Sequence, residues 1–277
     1  MRNNVEVCLV TGAVGFIGFH LVTKLLKEGK KVIGIDNLNE YYDKNLKKAR
    51  LAKLKSSDSN FTLHEFNINN SEKLSKLIKS EEVDCVFHLA AQAGVRHSLD
   101  KPWSHIENNI IGTINILESM RINNIHNLVF ASSSSVYGLN HDMPFHEELN
   151  ISTPISPYAT SKRSAELLCF NYSHLYDISV KVMRFFTVYG PWGRPDMAYY
   201  SFTKSIIENE PIMIFNKGKM KRDFTYISDI VSGLYEALYF DSKYEIFNLG
   251  SGESIKLMYF IEKIEELLGK EAIKEYV

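Results

Sequence analysis

Tyr158 and Lys162 stand four residues apart and are the pair in this chain best suited to moving a proton. On a helix that spacing puts both side chains on one face. A neighbouring ammonium favours phenolate over phenol, which makes Tyr158 a usable base near neutral pH. The following run, 163–175, has few breakers and recurrent apolar positions, so it reads as a helix. Pro157 sits at its start, where a missing N–H costs nothing. Tyr-x-x-x-Lys pairs also arise by chance on solvated helix faces, so this one takes its meaning from what surrounds it.

Three glycines suit a phosphate. Gly12, Gly15 and Gly18 follow a short apolar strand over 5–11 and precede an amphipathic helix over 20–27. Strand, glycine-rich turn and helix together make a phosphate site. Gly12 permits the tight turn, Gly15 lets the backbone approach a pyrophosphate, and Gly18 lets helix and sheet pack closely. The helix N-terminus adds N–H groups and the positive end of its dipole. A second strand, 31–35, ends in Asp36-Asn37. An acid there accepts hydrogen bonds from an adenosine ribose and repels a 2′-phosphate, favouring NAD over NADP. Small residues also close the strand over 83–89, at Ala90, Ala91, Gln92, Ala93 and Gly94, where a dinucleotide could lie close to the backbone. Four serines, 132–135, follow the strand over 128–131, and a hydroxyl among them could reach the same reacting oxygen as Tyr158.

These residues need a scaffold that brings strand ends together. Further strands are expected over 61–66 and 180–186, with helices over 40–55, 71–79 and 106–121 and a loop over 56–60. Strands alternating with helices mean right-handed βαβ units, hence an α/β fold with a Rossmann-type, doubly wound parallel sheet. Ligands of such sheets bind beyond the carboxyl ends of the strands, where both the glycine turn and the serine run fall. The Gly/Pro-rich loop from Thr187 to Pro195 breaks the pattern and is taken as the domain change. A first domain over 1–186 and a smaller α/β substrate domain over 187–277 are therefore expected. In the latter, helices are expected over 199–208, 228–239 and 257–268, and strands over 212–215 and 245–248.

Composition excludes more than it selects. The net charge of -1 gives no reason to expect nucleic acid or a membrane surface as partner. The three cysteines, Cys8, Cys85 and Cys169, have no metal-ligand spacing, so no metal is expected. Three widely separated thiols fit a reducing, cytoplasmic compartment.

Assembled, these segments resemble the extended short-chain dehydrogenases/reductases, in which Gly-x-x-Gly-x-x-Gly is a typical spacing. More narrowly, the chain is similar to nucleotide-sugar 4-epimerases of the UDP-glucuronate type. The resemblance runs through residues 15–20, 36–43, 88–96, 131–138, 184–197 and 221–226. It implies that Tyr158 is the base and Lys162 its activator, which also holds the nicotinamide ribose. Ser133 matches the hydroxyl that bonds the sugar 4-oxygen, with Ser134 and Ser135 close enough to share the task. Gly12, Gly15, Phe16, Ile17, Gly18, Asp36, Asn37, Leu38, Ile68, Ala90, Ala91, Gln92, Asn109 and Phe186 match NAD-contacting positions. Asn67 stands where the family more often has Asp, and its amide can still bind adenine. Thr187 and Arg194 match positions facing a uronate carboxylate, and Arg222 matches one that reaches the diphosphate.

The implied reaction is a transient oxidation at the sugar C4, with hydride passed to NAD and returned on the other face. The resemblance also implies a homodimer, through a helix pair that includes 106–121 and 161–175. Rival readings are a 4,6-dehydratase, a uronate decarboxylase and a non-catalytic NAD-binding module. The first carries an Asp-Glu pair where this chain has Ser134-Ser135. Relatives continue beyond the position of Val277, which implies an incomplete substrate domain with apolar surface exposed at Tyr259, Ile261, Ile264 and Leu267.

Overall fold

Leu9, Val10, Ile33, Val86, Phe87 and Val180 are wholly buried, as only strands covered on both faces allow. A computed structural model describes residues 5–57 and 59–277 and shows how they are covered. Its elements run β1 (Val7–Thr11), α1 (Phe16–Lys27), β2 (Lys31–Asp36), α2 (Lys44–Ser57), β3 (Phe61–Glu65), α3 (Ser71–Ser80) and β4 (Cys85–His88). Next come two short helices, α4 (Val95–Asp100) and α5 (Pro102–His105), a π turn over Ile106–Ile111, and α6 (Gly112–Ile122). β5 (Asn127–Ser133), a 3₁₀ turn over Ser134–Tyr137, α7 (Pro157–Tyr176) and β6 (Ser179–Phe185) complete this part.

The remainder comprises β7 (Thr187–Tyr189), α8 (Ala198–Glu208), β8 (Pro211–Ile214), β9 (Lys221–Tyr226), α9 (Ile227–Ala237), β10 (Tyr244–Leu249), β11 (Ser254–Lys256), α10 (Leu257–Leu268) and β12 (Ile273–Tyr276). Seven parallel strands form one sheet in the order β10-β6-β5-β4-β1-β2-β3. The order reverses between β1 and β4, the switch point at which doubly wound sheets bind ligands. Among the described residues no helix is long and apolar enough to cross a membrane.

Two compact units result. Among the described residues, the first holds those from 5 to 185 and 228–249, and the second holds 186–227 and 250–277. The single boundary expected at 187 therefore differs from the observed division. The chain crosses back because β10 pairs in register with β6, Ile246 opposite Val182 and Asn248 opposite Arg184. The second unit contains the three-stranded sheet β11-β9-β7 and the pair β12-β8. Its core is Ile206, Ile212, Ile214, Ile261 and Ile264. Ile261 and Ile264, expected at the surface, are thus buried, whereas Tyr259 and Leu267 are exposed.

Other differences have local causes. α1 starts at Phe16 rather than His20, because Gly15 turns directly into the first helical residue. The helix expected over 106–121 is divided by the π turn before α6. α2 continues to Ser57, past the expected loop start; Asp58 of that loop lies outside the described residues. β5 runs on through Ser132 and Ser133, two residues past the expected strand end at 131.

Candidate active site

Gly12 has a left-handed backbone, φ 69°, which favours glycine. A Cβ built there would lie 2.9 Å from the Ala90 amide nitrogen, and one on Gly18 only 2.0 Å from the Gly12 carbonyl oxygen. The glycine turn is therefore drawn against the end of β4, and a side chain would fill the cradle. Gly15 caps α1 without a side chain, leaving the first turn open to an anion. Phe16 is buried and Ile17 half-buried beside it.

At the end of β2, Asp36 is buried and accepts from the Leu38 N–H at 2.9 Å. Burial pushes its carboxyl above the ordinary range, opposed by Lys47 with Nζ 4.0 Å away. Leu38 is buried with φ 47°, and Asn37 accepts from the Asn39 N–H at 3.2 Å. This acidic strand end, the small residues and the cradle fit an adenine dinucleotide lacking a 2′-phosphate. Asn67 is exposed, its side chain accepting from the Asn69 N–H. Ile68 is buried in the hydrophobic core, and its carbonyl accepts from the Asn115 amide at 3.4 Å.

Ser156 caps α7 by accepting from the Ala159 N–H at 3.1 Å, and Pro157 follows as the first helical residue. Tyr158 and Lys162 then fall on one helical face, as their spacing predicts. Lys162 is buried, and its ammonium donates to the Ala131 carbonyl on β5 at 2.8 Å. Burial pulls its pKa down to about 8. Tyr158 is half-buried, with the His105 ring edge-on to it at 5.8 Å. Two residues beyond Ala131, Ser133 is buried and its hydroxyl accepts from the Ser135 N–H at 3.2 Å. Ser134 and Ser135 are half-buried in the 3₁₀ turn.

The buried Asn109 lies in the π turn. Its amide bonds both backbone groups of Gln92, accepting at 2.7 Å and donating at 3.0 Å, and also donates to Ser161 Oγ at 2.9 Å. Ser161 Oγ in turn donates to the Tyr158 carbonyl at 2.8 Å. The ends of β1, β2, β4 and β5 and the first turns of α7 are thus assembled around one edge of the sheet. The pair that can exchange a proton and the cradle that fits a dinucleotide belong to the same unit.

In the second unit, Thr187 opens β7 and pairs with Phe224 on β9, two residues beyond the exposed Arg222. Phe186 lies 3.1 Å from a Cβ built on Gly250. Arg194 holds Asp196 in a bidentate pair, Nε to Oδ1 at 3.0 Å and Nη2 to Oδ2 at 2.5 Å.

Sequence reasoning passed over His88, Thr11 and Thr113, and the buried acid Glu166. His88 and Thr11 carried a signal, a polar residue closing an apolar strand. Glu166 lies four residues after Lys162, on the same helical face.

The sequence pattern of the NAD dependent epimerase/dehydratase family matches residues 8–250. A UDP-glucuronate 4-epimerase of Thermodesulfobacterium geofontis is 48% identical over 97% of this chain and 83% of its own length. An uncharacterized protein of Methanocaldococcus jannaschii is 51% identical, with the same coverage. The crystal structure of UDP-glucuronic acid 4-epimerase from Bacillus cereus, in complex with UDP-glucuronic acid and NAD, superposes with a TM-score of 0.91 at 37% identity. That match covers 98% of this chain and 86% of the other.

Proposed function

This chain belongs to the NAD dependent epimerase/dehydratase family, and from that premise we propose that it catalyses the NAD-dependent 4-epimerisation of UDP-glucuronate to UDP-galacturonate. The observation that carries the reading is the Tyr158/Lys162 pair, with the lysine buried and fixed on the Ala131 carbonyl. The similarity to enzymes named for UDP-glucuronate supports the uronate.

In this reading the first unit holds NAD. Gly12, Gly15, Phe16, Ile17 and Gly18 take the pyrophosphate, and Asp36, Asn37 and Leu38 take the adenosine ribose. Asn67 and Ile68 flank adenine, while Ala90, Ala91, Gln92, Asn109 and Lys162 line the rest; Phe186, which opens the second unit, is a further cofactor position. NAD, when bound, supplies the reversible hydride acceptor that inversion through a 4-keto sugar requires. Tyr158 takes the proton from the 4-hydroxyl and later returns it. The Lys162 ammonium favours the phenolate. Ser133 hydrogen-bonds the 4-oxygen, assisted by Ser134 and Ser135. In the second unit, Thr187 and Arg194 receive the carboxylate and Arg222 the diphosphate. A carboxylate buried without a partner is costly, so an arginine there selects the uronate over a neutral sugar.

Incubation of the chain with UDP-glucuronate and NAD, followed by proton NMR, tests the reaction, and a parallel run on UDP-glucose reads the selectivity of Arg194. UDP-galacturonate is expected, and Tyr158→Phe should abolish it while NAD stays bound. Retained turnover in that variant overturns the role of Tyr158. We further propose a cytoplasmic homodimer through 106–121 and 161–175. Exposed Ile111, Leu167 and Phe170 support it. Sedimentation at micromolar concentration checks it, a persistent monomer counting against it.

A further inference from the structure

His88 closes β4 with its imidazole wholly within the protein, and its two ring nitrogens meet two threonines. Nδ1 lies 2.8 Å from Thr11 Oγ1 and Nε2 lies 3.1 Å from Thr113 Oγ1. The protons of this chain are fixed by what lies at either end. Thr113 Oγ1 donates its one hydrogen to the Asn109 carbonyl at 2.6 Å, so towards His88 it can only accept. Nε2 must therefore carry the hydrogen and Nδ1 must accept. Thr11 Oγ1 then donates to Nδ1 and accepts from the Ala90 N–H at 3.0 Å. Every donor and acceptor in this run is used once the Nε2–H tautomer is chosen, and the other tautomer would leave two acceptors facing each other.

Position gives the run its interest. Thr11 is the last residue of β1, immediately before Gly12. Asn109 lies in the π turn and bonds Ser161, which holds the Tyr158 carbonyl. A π turn widens the ordinary i→i+4 bonding to i→i+5, and Thr113 secures one carbonyl of this turn. We propose that His88 is a positioning residue, whose single Nε2–H tautomer ties the glycine turn on one side to the Asn109 turn and the Tyr158 helix on the other. The functional meaning of both ends rests on the reaction proposed above. The tautomer and its links do not. Phe130 packs on the ring at 5.7 Å and Lys162 is the charge that reaches it; burial and that charge keep the imidazole neutral, its pKa lowered to about 3.

The test uses the full chain with histidine labelled in nitrogen-15. The His88 signal, assigned by its loss in His88→Asn, should show a protonated Nε2 and no titration from about pH 5 to 8. A protonated Nδ1, or titration in that range, overturns the proposal. Two variants then divide the links. His88→Asn can put its amide oxygen where Nδ1 accepts from Thr11, but is too short to carry its N–H to Thr113; it should hold NAD as the parent does and lose about tenfold in kcat. His88→Gln can put its amide N–H where Nε2 donates to Thr113 but has no acceptor at the position of Nδ1; it should show the reverse, with NAD bound about tenfold more weakly and kcat retained. Parent values for both, or parallel losses that track a lowered melting temperature, overturn it. An inactive parent chain whose NMR and NAD affinities behave as stated would instead refute the reaction and leave the His88 link standing.

Discussion

Burial sets the working range of Lys162. Its ammonium is hydrogen-bonded to the Ala131 carbonyl, and loss of water lowers its pKa from an ordinary 10.5 to about 8. The charged form is the one that favours phenolate, so its contribution is present below about pH 8 and fades above. We expect kcat for the epimerisation to fall as pH rises through about 8, by about tenfold per unit well above it. Lys162→Arg, which stays charged at all accessible pH, should remove that alkaline fall from whatever activity it retains. A flat parent profile to pH 10 overturns the argument. Stability moves the other way. Between about 8 and 10.5 the unfolded chain holds the proton that the folded chain has lost, so the penalty for burying this charge is relieved as pH rises.

At the scale of elements, one buried carboxylate joins three of them. Glu166 on α7 bonds Arg184 on β6 through two contacts of 3.0 Å and accepts from Ser132 on β5 at 2.6 Å. Both charged side chains are essentially sealed from water. The Tyr158 helix is thereby pinned to the strand that ends in Ser133. Glu166→Ala would leave the Arg184 guanidinium buried without its carboxylate, a loss of about 3–5 kcal/mol. Urea unfolding reads that number. A loss below about 1 kcal/mol would mean that water or a rearranged side chain replaces the pair. Replacing both partners with apolar residues of similar volume should cost less, since the expense lies in the stranded charge.

Across the whole molecule, much of the fold is legible in the sequence. The parallel sheet followed from apolar strands punctuated by helices, and the glycine cradle and the Tyr158/Lys162 pair fell where strand, turn and cap residues placed them. What was not readable depends on pairing at a distance. Residues 245–248 read as a strand, but nothing local says that Ile246 lies beside Val182. The His88 tautomer likewise needs Thr11 and Thr113, which are brought to it from separate elements. Ile261 and Ile264 looked stranded because the partners that cover them, around Ile206 and Ile212, are far away in the chain. The return of 228–249 to the first unit has a further consequence, for the order in which the protein is made. A ribosome delivers β6 long before β10, with a whole stretch of the second unit emerging between them. Until residue 249 is out, the nascent sheet carries an open rim of unsatisfied N–H and C=O groups along β6, able to pair with a neighbouring chain. Overcrowded synthesis should therefore aggregate this protein through β6, and chaperone demand should end when β10 arrives.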